Sequence, residues 1–147
     1  MLKRYTFWAK AAIVFLFLTA ALHSLSFFVS HKPANDQERQ LSELLNNYYE
    51  DLGAGFHRTF FDLFTALSAC YPLLCVLAAL TLSYLLWKGA EPGLMKGIFL
   101  INAFVFGVCS IVMIVFAFLP PIVLTGLIFL SLFVAYILCP RTISGEQ

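Results

Sequence analysis

The chain has 147 residues, of which 61% are hydrophobic and only 12% charged, with a mean hydropathy of +0.89 and a formal net charge of +1. Soluble domains run nearer 45–50% apolar and about 25% charged, so this composition excludes a water-soluble globule. The near-zero charge leaves no basic field for nucleic acid and no acidic tail, and the length suits one domain.

Taken in chain order, the first apolar run spans about residues 7–29 and carries only Lys10 near its start. A span needs about 20 residues at 1.5 Å each to cross about 30 Å of hydrocarbon, and this run suffices. Lys3, Arg4 and Lys10 resemble a basic leader, but the run is long for one and no A-x-A site closes it, so it is expected to remain as a span. Residues 36–52 follow with Leu41, Leu44, Leu45, Tyr48, Tyr49 and Leu52 at helical spacing among polar residues. They predict an amphipathic helix lying apolar face down at the membrane surface, with Asn35 or Asp36 as N-cap. Gly53-Ala54-Gly55 is expected to turn the chain into the second span, about 56–87.

The third span is about 94–119 and the fourth about 122–138. Pro92-Gly93 marks the turn before the third, and Pro120-Pro121 separates the last two. Connections this short permit only antiparallel neighbours. The expected fold is therefore all-α: a membrane-embedded up-down-up-down four-helix bundle with an outer amphipathic helix between the first two spans. Six Lys and Arg residues (3, 4, 10, 88, 96, 141) fall on one side and three (32, 39, 58) on the other. By the positive-inside rule both termini are expected in the cytoplasm, with the protein in a cell inner membrane. Tyr5, Trp8, Tyr84, Trp87 and Tyr136 form an aromatic belt on that same side.

Polar groups inside a membrane are expensive, so each one needs a reason. His23 lies about 7 Å below the outer boundary of the first span. Its neutral imidazole is expected either to bond Asp62, Thr65 or Thr125 and tie helices together, or to serve a ligand or a proton. Arg58 and Asp62, read as four apart on one helix, form either an interfacial ion pair or a substrate-binding set in which Asp62 orients His23. His57 and His31 read as interfacial. Asn102 lies a few residues past Lys96, about 15 Å in depth from His23. His23, His57 and Asp62 lack the spacing of a tight metal motif, so no metal site is expected. The four cysteines (70, 75, 109 and 139) contain no C-x-x-C pair and read as small packing residues.

Three stretches, His23-Ser-Leu-Ser-Phe-Phe28, Asp62-Leu-Phe-Thr-Ala-Leu-Ser-Ala69 and Leu119-Pro-Pro-Ile-Val-Leu-Thr-Gly-Leu-Ile-Phe129, resemble a group of small bacterial four-helix membrane proteins with no established activity. Size and topology are also loosely similar to DoxX-like proteins and to the sterol-isomerase-like four-helix family, without their signature residues. The functional expectation is a pocket lined by His23, Arg58, Asp62, Thr65 and Thr125 that binds a hydrophobic or amphipathic small molecule, lipid or quinone-like. Two alternatives stand beside it. One is a membrane enzyme using His23 or Asp62 as acid or base; the other is an accessory subunit of a larger membrane complex or oligomer.

Overall fold

The computed structural model describes residues 2–29, 32–51 and 53–140; His31, Leu52 and Arg141 lie outside the described residues. Four long apolar helices make this a membrane protein: α1 (Leu2–Leu25), α3 (Phe60–Trp87), α4 (Pro92–Phe116) and α5 (Leu119–Leu138) are each long and apolar enough to span. Between α1 and α3 lie a 3-10 turn (Ser26–Phe28), α2 (Asp36–Asn47) and a hairpin of β1 (Tyr49–Asp51) and β2 (His57–Thr59). The described chain forms two compact units, one of residues 21–73 and one combining 1–20 with 74–147.

In the larger unit each helix buries one narrow stripe and leaves many of its other large apolar residues exposed. The stripes are Tyr5, Ala9, Ala12 and Leu16 on α1; Cys75, Ala79 and Leu82 on α3; Met95, Phe99, Ala103 and Phe106 on α4; and Thr125, Ile128, Leu132 and Ala135 on α5. The spacings of three and four residues define one helix face. Small residues recur in them because lipid tails are as apolar as leucine. Association inside a membrane therefore depends on close van der Waals approach more than on hiding apolar surface. Tyr5 of α1 meets Phe99 of α4 edge-on, with ring centroids 6.2 Å apart.

Helix α3 ends in a glycine-dependent cap. Gly89 takes φ +63°, which lets its N–H reach the Leu86 carbonyl (3.2 Å) while the Ala90 N–H reaches that of Leu85 (3.0 Å). Pro92 then opens α4. Pro120 and Pro121 lie inside the first turn of α5, whose N-cap is Phe118, and do not separate it from the preceding residues. First-turn N–H groups have no intrahelical partner in any helix, so two prolines cost nothing there.

The hairpin α4–α5 is closed where Gly107 faces Phe129. A Cβ added at Gly107 would stand 3.2 Å from Cδ2 and Cε2 of the ring. Phe129 in turn stacks on Phe133 (5.8 Å), and Phe133 on Tyr136 (6.5 Å), so the ring has little freedom to retreat. Gly107→Ala would gain about 1 kcal/mol of helix propensity against an overpacking cost of about 1–3 kcal/mol. We expect a net loss of about 1 kcal/mol in detergent unfolding. The same substitution in a Phe129→Leu background should stabilise, because only propensity then remains; stabilisation in both backgrounds would show that the ring yields freely.

In the smaller unit, α2 starts on Asn35, whose side chain accepts the Glu38 N–H (2.9 Å) while Glu38 accepts that of Ala34 (2.8 Å). The helix stops at Asn47, short of the expected residue 52, because Tyr49–Asp51 extend to pair with His57–Thr59. The Gly53-Ala54-Gly55 segment is the tip of this hairpin and not the entry to α3. All three residues have positive φ, Asp51 accepts the Gly53 N–H (2.9 Å), and the Phe56 N–H bonds the Gly53 carbonyl (3.0 Å). No residue of α2 is buried, and Leu41, Leu44 and Tyr48 remain exposed.

Candidate functional site

Of the five residues expected to line a pocket, four fall in the smaller unit, while Thr125 belongs to the larger one. The Thr125 hydroxyl donates to the Pro121 carbonyl (2.8 Å), inside its own helix. That is the usual way a buried threonine satisfies itself in a span.

Asp62 closes the N-terminus of α3. Thr59 precedes the helix, its Oγ accepts the Asp62 N–H (3.1 Å), and the Asp62 carboxylate accepts the Thr59 N–H (3.1 Å). This is a reciprocal capping box, and loss of such a cap typically costs ~1 kcal/mol. The T-x-x-D pattern at Thr59–Asp62 was legible in the sequence and identifies where the helix starts. Arg58 lies outside the helix, in β2, where the strand register sets it opposite Glu50 and sets His57 opposite Asp51. The helix-face relation of Arg58 to Asp62 therefore gives way to a strand–strand one.

His23 is held by a partner outside the expected set. Its Nε2 lies 3.2 Å from the Ser68 carbonyl oxygen and 2.9 Å from Ser68 Oγ, joining the end of α1 to α3. The reason lies four residues further along. Pro72 sits inside α3, and the helix continues through it. Proline has no N–H, so the carbonyl of residue 68, four positions earlier, loses its helical donor. In a membrane that freed carbonyl needs a substitute, and neighbouring helices are the usual source. His23 supplies it.

A carbonyl oxygen only accepts, so the tautomer that satisfies the Ser68 carbonyl carries its proton on Nε2 and its lone pair on Nδ1; the opposite tautomer would instead accept from the Ser68 hydroxyl and leave that carbonyl unmet. Tyr71 and Phe27 meet the ring edge-on at 5.3 and 5.7 Å. Among the described residues no donor reaches Nδ1. The serine–histidine distance of 2.9 Å invites comparison with a nucleophile and its base, yet an Nε2 that donates to the carbonyl cannot take the Ser68 proton. Thr65, half-buried, stands on α3 three residues before Ser68 and shares its face. Two open hollows of about 520 and 530 Å³ lie along α2, the first beside Asn35 and Arg39, the second beside Leu44 and Tyr48; none of the five expected residues lines either.

Among the described residues no cluster of His, Cys, Asp and Glu has the proximity to hold a metal ion. Cys139 is buried just past α5, and its Sγ donates to the Pro92 carbonyl (3.3 Å). Burial pushes its thiol up, against the downward pull of the Lys96 ammonium, so it remains a protonated packing group. No family model matches the chain, and no curated protein or solved structure is significantly similar to it.

Proposed function

We propose that this chain is an inner-membrane four-helix bundle of up-down-up-down topology, with both termini cytoplasmic, that binds an amphipathic small molecule through residues 21–73 on its outer side. The asymmetry of Lys and Arg supports the orientation, and the short 88–91 and 117–118 connections support the topology. The observation that carries the functional reading is His23. Its Nε2 is committed to the carbonyl freed by Pro72, which leaves Nδ1 as an acceptor flanked by aromatic rings.

An acceptor of that kind selects a ligand whose polar head donates a hydrogen bond. A lipid hydroxyl or a quinol hydroxyl fits, whereas a quinone carbonyl does not. Phe60, Phe61 and Phe64, exposed on the first turns of α3, offer apolar contact for the rest of the molecule, with Thr65 beside them and Arg58 available to an anionic group. Thr125 is left out of this set because its hydroxyl is committed to its own helix. The engagement of the Asp62 carboxylate in the capping box favours binding over acid–base catalysis.

Native mass spectrometry of gently solubilised protein tests the reading if the fold is first made independent of the histidine. Pro72→Ala restores the missing N–H, but Ser68 Oγ, 2.9 Å from Nε2, still accepts its proton and holds the ring, so any bound small-molecule mass should be retained. Adding His23→Ala to that background should lose the mass with little change in stability. A double variant that keeps the ligand would remove His23 from the site.

A further inference from the structure

We propose that Asn102 is the polar contact of a homodimer formed through α4, pairing with Asn102 of a second copy. Asn102 lies six residues beyond Lys96 and ten beyond Pro92 on a helix of 25 residues, so it stands roughly 15 Å from the start of the span. One amide N–H donates to the Ile98 carbonyl of its own helix (2.9 Å). Among the described residues, the second amide hydrogen and the Oδ1 oxygen have no hydrogen-bond partner, and the side chain is only partly buried. At that depth hydrocarbon offers neither donor nor acceptor, and an unsatisfied amide there is costly.

The residues around it form a second seam. Ile98, Asn102, Val105, Cys109, Val112 and Phe116 follow one another at intervals of four, three, four, three and four residues, the repeat of a coiled-coil seam. This is a different stripe from Met95, Phe99, Ala103, Phe106 and Ser110, which α4 buries within the chain. Val105, Val112 and Phe116 on it are exposed. A lone asparagine in such a seam sets register and strand number, because a mispaired copy leaves the amide facing apolar side chains.

The second copy is the fitting occupant because a carboxamide is self-complementary. Across a two-fold axis, each Asn102 donates its remaining N–H to the other's Oδ1, and one interaction satisfies both chains. Val105 of each copy then packs against its symmetry mate beside the amide pair.

The chain, labelled at its N-terminus with donor or acceptor fluorophores and reconstituted in phosphatidylcholine vesicles, provides the test. Energy transfer should exceed random mixing and fall on lipid dilution as a monomer–dimer equilibrium requires. Asn102→Leu should weaken association about 3- to 30-fold, the range measured for hydrogen bonds between membrane helices. Asn102→Gln should preserve much of it. Val105→Trp should also disrupt the dimer, and Phe104→Ala, off the seam, should not. Should Asn102→Leu fail to fold, Val105→Trp decides. A wild type no better than random mixing, or association unchanged by Asn102→Leu or by Val105→Trp, overturns the proposal.

Discussion

Replacing His23 with alanine should destabilise the protein by about 1–3 kcal/mol, the cost of leaving a buried acceptor unsatisfied, and Pro72→Ala should erase most of that loss. The logic is one of shared need. In the wild type the Ser68 carbonyl depends on His23 because Pro72 cannot donate. In Pro72→Ala the new alanine N–H returns to that carbonyl, and the imidazole keeps only its contact with Ser68 Oγ and its ring contacts with Phe27 and Tyr71. Pro72→Ala by itself should be neutral or mildly stabilising, because it adds a hydrogen bond. A double-mutant cycle by equilibrium unfolding in mixed micelles measures the coupling, expected at about 1–2 kcal/mol. Strict additivity would mean that His23 and Pro72 do not share the Ser68 carbonyl.

Lys96→Met should cost about 2 kcal/mol in the same unfolding assay. Methionine keeps the apolar stem and removes only the ammonium, whose Nζ donates to the Cys139 carbonyl at 2.9 Å. Cys139 caps α5, where the last carbonyls of a helix have no partner of their own, and a cation there also meets the negative end of the helix dipole. The ammonium additionally lies 5.2 Å from the centre of the Tyr136 ring, a contact of about 0.5–1 kcal/mol at an exposed site. Because Lys96 is only half-buried, water competes for the same carbonyl and keeps the expected loss at the middle of the range. Lys96→Arg should recover much of it. A loss below about 0.5 kcal/mol in Lys96→Met would mean that water satisfies the carbonyl as well as the lysine does.

The membrane class, the four long apolar runs and an N-cap of α2 at Asn35 or Asp36 are legible in the sequence, and the structure selects Asn35. The start of α3 is legible too, from Thr59-Phe-Phe-Asp62, although the longer apolar run hides it. The hairpin is not legible in the sequence because Tyr48, Tyr49 and Leu52 continue the helical period of α2. Three residues on each side carry too little pattern to declare a strand, and the Gly-Ala-Gly tip served equally well as a lead-in to a helix. Arg58 therefore stands on a strand, opposite Glu50, and not on the helix of Asp62. A lone imidazole in an apolar run needs a partner, which marks His23 in the sequence, but nothing local to it says that the partner is a backbone carbonyl. The missed signal was Pro72, which announces a freed carbonyl at position 68.

Local chemistry by itself determined what each stretch of this chain is: runs of apolar residues long enough to span, glycine and proline at turns, and a capping box. Those properties depend on neighbours within one or two turns, so the order of residues contains them in full. Pairing was decided by tertiary structure alone. That His23 meets Ser68, that Lys96 reaches the Cys139 carbonyl and that Gly107 admits the Phe129 ring depend on residues 45, 43 and 22 positions apart. Which carbonyl lacks its donor can be read from a proline; which side chain arrives to replace it depends on the height and rotation of one helix against another, and packing sets both.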